Sequence, residues 1–336
     1  MNIRDAIKHV IEMKDLKEQA AYEVAIDIMS GETTDSQIAA LLTAMKIKGE
    51  TVDEITGFVK AMREKVTRLN CGSEYLIDTC GTGGDKTGTF NISTISAFIA
   101  AGAGCRVAKH GNRSVSSKCG SADLLEEMGI NIKNTPEIME KSINEEGIGF
   151  LFAPTLHKAM KYAIGPRREI GIRTIFNILG PLTNPAGAKR QLLGVFNKEL
   201  MASITYVLKN LCAEHCLIVH GEDGLDEITT TGKTFVSELN NGTVNEYEVI
   251  PYDFNLKPVT IDDIKGGSAK YNAKIAFDIL KGMKGPKRDI TVFNAGAAIY
   301  VSGKANSLLE GIELAKESID SGKALEKFKR LKEMMK

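Results

Sequence analysis

Two glycine-rich loops hold most of the side chains that could do chemistry. The first, DTCGTGGDKTGTFNIST, runs from Asp78 to Thr94, and the second, KHGNRSVSSKCGSADLLE, runs from Lys109 to Glu126. Each follows a short apolar run and leads into a pattern typical of a helix. Backbone N–H groups at glycine turns and helix N-termini bind anions. A chain with two such loops can therefore hold a ligand with two separated phosphate groups.

The first loop combines glycine turns with hydroxyl and amide side chains. Its glycines allow the backbone to approach a ligand closely. Asp85 could accept hydrogen bonds from ribose hydroxyls, while Asn91, Ser93 and Thr94 lie at an expected helix start and would face a phosphate. An ordinary strand-to-helix turn capped by Ser93 or Thr94 is the alternative. The loop matches neither GxGxxG nor the Walker pattern, but its hydroxyl–amide run favours binding.

The second loop adds positive charge through Lys109, His110 and Arg113. Around them lie further polar side chains, namely Asn112, Ser114, Ser116, Ser117 and Ser121. Charge-assisted hydrogen bonds from such groups to phosphate are strong. A solvated surface loop could have this composition, but the preceding strand and following helix favour a phosphate site.

A third segment, GPRREIGIRTIFNILGPLTNP, is rich in arginine and spans Gly165 to Pro185. The planar guanidinium of Arg167, Arg168 or Arg173 could bind a carboxylate through two hydrogen bonds. Structural ion pairs, for example with Glu169, account equally well for any one of them.

The fourth segment, HGEDGLDEITTTG, places Asp226 beside Glu227 in a glycine-rich stretch just after an apolar strand pattern. Other adjacent acidic pairs occur in the chain, but none has this context. Magnesium is usually held by carboxylates together with substrate phosphates. The segment therefore predicts a magnesium site.

Composition narrows the class of protein. In 336 residues, Lys+Arg and Asp+Glu each total 43, so no net field attracts nucleic acid or acidic membranes. The sequence shows neither a signal peptide nor a membrane span, so we expect a cytoplasmic protein. Cys212, His215 and Cys216 could bind a metal, but a zinc site needs further ligands. We expect the two cysteines to be small core residues.

The elements that must position these loops fall into two regions. Up to about residue 70 the pattern is helical, and capping-box spacings at Thr34–Gln37 and Thr51–Glu54 predict helices over 35–48 and 52–68. The apolar surface of these helices could also pack against a second copy of the chain.

From residue 75, short apolar runs alternate with helical patterns. This alternation predicts an α/β fold with a central, largely parallel sheet flanked by helices, and residues 269–336 again look mostly helical. The candidate strands are Tyr75–Thr79, Cys105–Lys109, Ile148–Ala153, Gln191–Phe196, Cys216–His220 and Thr243–Ile250. The glycine loops fall beyond the carboxyl ends of these strands, where such sheets bind ligands.

Taken together, the four segments resemble the anthranilate phosphoribosyltransferases over essentially the whole chain. GTGGD, the NIST run, KHGNR with GSAD, RTIFN with LGPL and the late Asp-Glu pair carry the resemblance. The resemblance implies two domains: a small helical domain of residues 1–70 and an α/β domain of residues 71–336. Helices from about 165–185 are a candidate addition to the helical domain. That fold is shared with pyrimidine nucleoside phosphorylases. A homodimer through the helical domain is also implied.

The resemblance implies transfer of the phosphoribosyl group from phosphoribosyl pyrophosphate to anthranilate, with release of pyrophosphate, in tryptophan biosynthesis. Two magnesium ions would be held by Ser93, Asp226 and Glu227. Anthranilate would contact Gly81 and Asn112, with its carboxylate on Arg167. Phosphoribosyl pyrophosphate would be bound by Gly81, Gly84, Asp85, Thr89, Asn91, Ile92, Ser93, Thr94, Lys109, His110, Gly111, Asn112, Arg113, Ser114, Val115, Ser116, Ser117 and Ser121. The chain departs from the family at Lys158, where proline often follows the histidine equivalent to His157.

This residue inventory suits the implied chemistry. Displacing pyrophosphate from the sugar C1 develops positive charge on the ring and negative charge on the leaving group, which fixed donors and metal ions stabilise. The aromatic amine attacks largely unprotonated, so no strong base is required. His110 is the nearest candidate proton acceptor, although it could equally serve only in hydrogen bonding.

Three other functions share some of these features. A pyrimidine nucleoside phosphorylase needs one inorganic phosphate, which leaves the acidic pair without a role. Another class of phosphoribosyltransferases uses an acid–acid–TTG loop like DEITTTG, but there the loop opens a helix, whereas KTFVSEL here predicts a strand. A non-catalytic phosphosugar-binding protein would use the same loops without magnesium-dependent turnover.

Overall fold

The computed structural model describes residues 1–72, 74–85, 87–114 and 118–336. The chain starts with four helices. They are α1 (Ile3–Ile11), α2 (Glu18–Ser30), α3 (Asp35–Lys48) and α4 (Val52–Lys65). Both predicted capping boxes are present, because Thr34 and Thr51 each exchange hydrogen bonds with the residue three positions later.

The first of the two predicted helices is confirmed at both ends, but the second ends three residues before the predicted position 68. Val66 is extended, and the next residue, Thr67, donates its N–H to the carbonyl oxygen of Leu156 at 3.0 Å. A contact with a distant part of the chain therefore replaces the last helical turn.

Seven strands form one sheet with the order β3-β2-β1-β4-β5-β6-β7. The strands are β1 (Leu76–Gly81), β2 (Arg106–Gly111), β3 (Ile148–Phe152), β4 (Arg190–Gly194), β5 (His215–Gly221), β6 (Thr234–Asn240) and β7 (Thr243–Val249). The first five are parallel, and β6 and β7 join antiparallel at one edge. The largely parallel sheet is confirmed, and each candidate strand is present with its ends shifted by at most two residues.

Helices cover both faces of the sheet. Between the strands lie α5 (Ile92–Gly102), α6 (Ser121–Glu127), α7 (Pro136–Glu146), α8 (Ala153–Leu156), α9 (Lys161–Ile170), α10 (Phe176–Leu182) and α11 (Leu200–Asn210). After β7 follow α12 (Ala269–Leu280), α13 (Pro286–Ser302), α14 (Leu308–Asp320) and α15 (Lys323–Met334). The helical pattern predicted for residues 269–336 is confirmed. No helix in the described ranges is both long and apolar enough to cross a bilayer.

Helices α9 and α10 pack against the N-terminal helices, although they follow β3 in sequence. Phe176 of α10 meets Phe58 of α4 edge to face, with ring centroids 5.9 Å apart. These helices carry the arginine-rich segment, so that segment is placed beside the N-terminal helices.

The two faces of the sheet bury different clusters. Leu192 and Leu217 face one cluster with α5 and α13, whereas the following residues, Leu193 and Ile218, face the other with the N-terminal helices and α11. This alternation is the side-chain period of a strand. Helix α5 is buried on nearly all sides, which its apolar sequence allows. Both faces of the sheet are thus covered by packed side chains.

The cysteine prediction is right for one residue and wrong for the other. Cys216 is buried in β5, but Cys212 is exposed, in a left-handed turn (φ 57°) just after α11. The intervening His215 bonds Glu238 of β6 at 2.7 Å (Nε2 to Oε1). The tyrosine hydroxyls of Tyr247 and Tyr300 donate to the same carboxylate, each at 2.9 Å.

Candidate active site

The acidic pair after β5 meets the first glycine loop after β1. The backbone N–H of Gly83 donates to Asp226 Oδ2 at 2.8 Å. The N–H of Ser93, at the start of α5, donates to Glu227 Oε1 at 3.0 Å. The structure therefore brings together the loop predicted to bind phosphate and the carboxylates predicted to bind magnesium.

This meeting requires glycine at particular positions. A Cβ added to Gly194, at the end of β4, would overlap the carbonyl oxygen of Asp226, and one added to Gly81 would overlap its carboxylate. Gly83 and Gly84 have φ angles of 66° and 76°, which side chains with a Cβ rarely adopt. The glycines thus permit the close approach of three strand ends.

The loop that carries the acidic pair is held by its own threonines. The hydroxyls of Thr229 and Thr231 donate to Asp223 Oδ2 at 2.7 and 2.5 Å. The buried amide of Asn294, on α13, accepts from the Ile228 N–H and donates to the Ile228 carbonyl, both at 2.8 Å. The threonines of DEITTTG therefore stabilise the loop. A strand, β6, follows the loop, whereas the other class of phosphoribosyltransferases has a phosphate-binding helix there.

Burial of Asp226 and Glu227 raises the pKa of both carboxyls. The charge of Asp85 raises the pKa of Asp226 further, and the charge of Asp226 does the same to Glu227. Asp85 itself accepts from the Thr87 hydroxyl at 2.6 Å. Repulsion between these half-buried acids favours either a proton or a cation between them.

Lys109, near the end of β2, is a buried cation whose charge acts on Glu227. Its ammonium donates to the Thr79 carbonyl and to Ser93 Oγ, the latter at 3.3 Å. Burial lowers the pKa of Lys109, whereas Asp78, Glu227 and Asp226 act in the opposite direction. One ammonium thus faces several carboxylates.

The residues fit magnesium rather than zinc. Carboxylate oxygens of Asp226 and Glu227 and the hydroxyl of Ser93 are hard ligands. Within the ranges that the structure describes, no group of three or more His, Cys, Asp or Glu side chains is placed to hold a metal alone. Magnesium commonly uses one or two carboxylates and takes its remaining ligands from water and substrate phosphates.

The second loop is organised by Asp123, the third residue of α6. Its Oδ2 accepts from the N–H groups of Gly120 at 2.8 Å and Ser114 at 3.1 Å. Arg113 forms ion pairs with Asp123 and Glu126, so protein carboxylates already balance its charge. The loop is therefore closed onto the start of α6.

The hydroxyl of Ser121 donates to the Asn112 carbonyl at 3.1 Å. Gly111, at the end of β2, approaches Ser121 so closely that a Cβ would overlap the hydroxyl. The Asn112 side chain is exposed. The predicted phosphate contacts of Val115, Ser116 and Ser117 lie outside the described residues.

Asn91 joins the two loops. Its Nδ2 donates to the Cys119 carbonyl at 3.0 Å, and its Oδ1 accepts from Asn272 of α12 at 2.9 Å. Thr89 pairs through the backbone with Lys265. The side chains of Ile92 and Thr94 are buried within α5. In this structure these predicted ligands contribute chiefly to holding the loops together.

The three arginines differ in their surroundings. Arg173 donates to the Gly84 carbonyl at 2.5 Å and lies over the Phe196 ring at 3.8 Å. Arg167 is half-buried over Phe176 at 5.3 Å, and burial lowers its pKa. Arg168 is exposed. None of the three forms an ion pair within the described part of the chain, and no hydrogen bond there joins Arg167 to the acidic pair.

A pair of histidines lies beside the second loop. His110 Nδ1 is 3.1 Å from the Gly180 carbonyl, which can only accept, so Nδ1 carries the proton. His110 Nε2 then accepts from His157 Nε2 at 3.2 Å. Burial lowers the pKa of His110 to about 3 and that of His157 to about 4, so both rings are neutral near pH 7.

The sequence interpretation assigned no function to some residues that support this site. His157 has no role in the sequence-based prediction, although its place just after an apolar strand is a usable signal. Asn272 and Asn294 gave no signal, because a single asparagine in a helical pattern does not identify its distant partner. Asp78 gave no signal either, because an acidic residue at the end of an apolar run does not reveal that it will be buried.

The fold and the site define a glycosyltransferase. The family described as "Glycosyl transferase family, a/b domain" matches residues 73–325, and "Glycosyl transferase family, helical bundle domain" matches residues 4–66.

Known proteins identify the particular family. An anthranilate phosphoribosyltransferase from Acetivibrio thermocellus is 53% identical over 326 residues, covering 97% of this chain and 94% of the relative. The crystal structure of that enzyme from Thermus thermophilus superimposes with a TM-score of 0.94 at 43% identity, covering 98% of this chain and 99% of the other. The Saccharomyces cerevisiae enzyme in complex with phosphoribosyl pyrophosphate and Mg has a TM-score of 0.90 at 26% identity, with coverage of 99% and 97%. The chain belongs to the anthranilate phosphoribosyltransferase family, which confirms the resemblance.

The close approach at Gly194 generates a direct test. We expect Gly194→Ala to push Asp226 away from the first glycine loop and to lower turnover by about 100-fold, since small misplacements of reacting groups have effects of this size. Gly165→Ala is the matched control, because a Cβ there makes only an ordinary 3.5 Å contact with Asp35. Steady-state kinetics and melting temperatures of both variants check this; equal activity in the two would contradict it.

Proposed function

We propose that this chain transfers the 5-phosphoribosyl group of phosphoribosyl pyrophosphate to the amine of anthranilate. The products are N-(5-phosphoribosyl)anthranilate and pyrophosphate, and the step belongs to L-tryptophan biosynthesis. The observation that carries the proposal is the contact between a half-buried acidic pair and a glycine loop, through Gly83 to Asp226 and Ser93 to Glu227. This contact supports a phosphate-binding loop beside a cation site, as a pyrophosphate leaving group requires.

The binding of phosphoribosyl pyrophosphate rests on the two loops. Glycine backbone N–H groups approach the phosphates, and the Lys109 ammonium balances their charge. Asn91 and Asp123 fix the shape of the two loops. The full proposed set is Gly81, Gly84, Asp85, Thr89, Asn91–Thr94, Lys109–Ser117 and Ser121.

Magnesium would be held by Asp226, Glu227 and the hydroxyl of Ser93, and we propose two ions per site. When bound, magnesium neutralises the developing charge of the pyrophosphate. The protein contributes the orientation of these ligands, because Gly83, the Ser93 N–H and Asn294 hold the acidic pair in place.

Anthranilate would be bound through its carboxylate by Arg167, with Gly81 and Asn112 as further contacts. Arg167 has no ion-pair partner in the described ranges of the chain, and its guanidinium is half-buried, so a substrate carboxylate would satisfy it. The neutral His110–His157 pair is suited to an uncharged aromatic ring with an amine.

The role of His110 as proton acceptor stays a prediction. Burial lowers its pKa, and both of its ring nitrogens already have partners, Gly180 and His157. These contacts favour a hydrogen-bonding role, and the weakly basic amine needs no strong base to attack.

We further propose a helical domain of residues 1–70, joined by helices from about 165–185, and an α/β domain of residues 71–336. The contact between Phe58 of α4 and Phe176 of α10 supports the assignment of α10 to the helical domain. A homodimer through the helical domain is proposed as well. Its support is the exposed apolar side chains of that region: Ile11, Met13, Ile47, Tyr162, Ile164 and Ile172.

The function is tested by mixing the chain with phosphoribosyl pyrophosphate, magnesium and anthranilate. We expect anthranilate fluorescence to disappear only when magnesium is present, and Asp226→Asn with Glu227→Gln to abolish this. Protons compete with magnesium for carboxyls whose pKa is raised. The magnesium concentration that gives half-maximal activity should therefore decrease as the pH rises from roughly 6.5 to 8.5. Phosphorolysis of thymidine or uridine instead would favour a nucleoside phosphorylase, and ligand binding without turnover would indicate a phosphosugar-binding protein.

The anthranilate assignment is tested on α9. We expect Arg167→Ala to raise the KM for anthranilate by about 10- to 100-fold, because a charge-assisted hydrogen bond contributes about 1.5–3 kcal/mol. The KM for phosphoribosyl pyrophosphate should change little. Arg168→Ala removes the same charge from the exposed neighbour and serves as the control. A similar KM for anthranilate in both variants would remove the assignment.

The proposed dimer is tested by charge at an exposed apolar residue. Ile47 of α3 is 74% exposed, and Ile47→Glu should shift the chain from dimer to monomer in sedimentation experiments. Tyr252→Glu, at a site 70% exposed in the α/β region, should leave the dimer intact. A monomeric wild-type chain would rule out the dimer.

A further inference from the structure

Strands β1 and β2 are neighbours in the sheet, but their pairing is short. It joins Leu76 to Arg106 and Ile77 to Val107. By contrast, β1 pairs with β4 as far as Gly81 and Gly194, and β2 pairs with β3 as far as Gly111 and Phe152. The two strands therefore separate before their carboxyl ends reach the site.

Side chains bind backbone groups where this pairing stops. The His110 N–H donates to Asp78 Oδ1 at 3.1 Å, and the Ala108 carbonyl accepts from Asn184 Nδ2 at 2.8 Å. The Thr79 carbonyl accepts from the Lys109 ammonium. Buried backbone groups need such partners, so these side chains stabilise the gap between the strands.

Asp78 is at the centre of this arrangement. It is fully buried, and its second oxygen accepts from Asn184 Nδ2 at 2.8 Å. Burial raises the pKa of Asp78 to about 6, whereas the Lys109 charge and the bonds from Asn184 and His110 act in the opposite direction. A buried carboxylate carries a large desolvation cost, and ordinary strand pairing would need no carboxylate here.

Asn184 extends the contact to the turn that follows α10. Its Oδ1 accepts from the Ala186 N–H at 2.9 Å. In the same segment the Pro181 carbonyl accepts from Gln191 at 2.6 Å, and the Gly180 carbonyl accepts from the His110 ring. Asp78 is thereby linked to His110 twice, at its backbone N–H and, through this segment, at its imidazole.

We propose that Asp78 is a positioning residue of the transfer reaction, which with Asn184 keeps β1 and β2 apart at their carboxyl ends. This inference rests on the proposed function, since it assumes that Lys109 and His110 belong to the transfer site. In the gap, the Lys109 ammonium reaches Thr79 and Ser93, and the His110 ring meets His157 and Gly180. Asp78 touches no substrate in this account; it acts through the two residues that end β2.

The test is Asp78→Asn, which preserves the size of the side chain and an acceptor for the His110 N–H. In this variant, however, the new side-chain NH2 group faces the NH2 group of Asn184, so two donors meet where a donor and an acceptor met before. We expect kcat/KM to fall by about 10-fold or more for both phosphoribosyl pyrophosphate and anthranilate, because both Lys109 and His110 would shift. In protein labelled with 15N-histidine, the His110 amide should exchange faster with solvent. Wild-type kcat/KM for both substrates would overturn the proposal, whatever happens to the melting temperature.

The matched control is Glu238→Gln, which removes another buried carboxylate of the same sheet, where it binds His215, Tyr247 and Tyr300. It should lower the melting temperature but leave both kcat/KM values within about 2-fold. If it reduces both values as much as Asp78→Asn does, the role of Asp78 is only structural.

Two further measurements keep the outcome decisive. If Asp78→Asn does not fold, Asn184→Ala replaces it, because it keeps the carboxylate and removes its bridge to Ala108. The loss for both substrates must then appear in Asn184→Ala, and wild-type kinetics there would overturn the proposal. A wild-type chain that never consumes anthranilate would instead refute the proposed function, so the two failures are distinguishable.

Discussion

The site depends on one electrostatic constraint: the half-buried carboxylates of Asp226 and Glu227 repel one another, and among the described residues the buried ammonium of Lys109 offsets part of that charge. Backbone N–H groups hold both acids against a glycine loop. The repulsion raises the pKa of both acids and makes the site favourable for a divalent cation. Gly81 and Gly194 are needed because the acidic pair must come so close to the ends of β1 and β4. Asn294 is needed because the loop would otherwise carry unpaired buried backbone groups.

Several polar residues in the loops hold the site together instead of facing a ligand. Asn91 bonds both the second loop and α12, Asp123 closes the second loop, and Arg113 pairs with Asp123 and Glu126. Such contacts restrict the loops before substrate arrives, which lowers the cost of ordering them on binding. In a motif rich in hydroxyls, amides and charges, some residues thus face the ligand and others hold the loops in shape. Composition alone does not tell which residue has which role.

The accuracy of prediction varied with the range of the interaction. The capping boxes at Thr34 and Thr51 were predictable because both partners lie within one helical turn. The end of α4 was not, because Thr67 bonds Leu156, which is distant in sequence. Cys212 was expected to be a small core residue at the end of a helix, yet it occupies an exposed left-handed turn. The partner of Arg173 was likewise left open between a ligand carboxylate and a structural ion pair, and it is the Gly84 carbonyl of a distant loop.

Local patterns in the sequence predict the α/β class, the parallel sheet, the two loops and the acidic pair, because hydrophobic period and glycine turns are local properties. The contacts of Asp226 with Gly83 and of His157 with His110, and the parting of β1 and β2 around Asp78 and Asn184, arise from the folding of the whole chain. Each of these contacts joins residues more than 40 positions apart. Strand order and helix packing bring such partners together, and a local sequence pattern does not contain the information needed to predict these pairs.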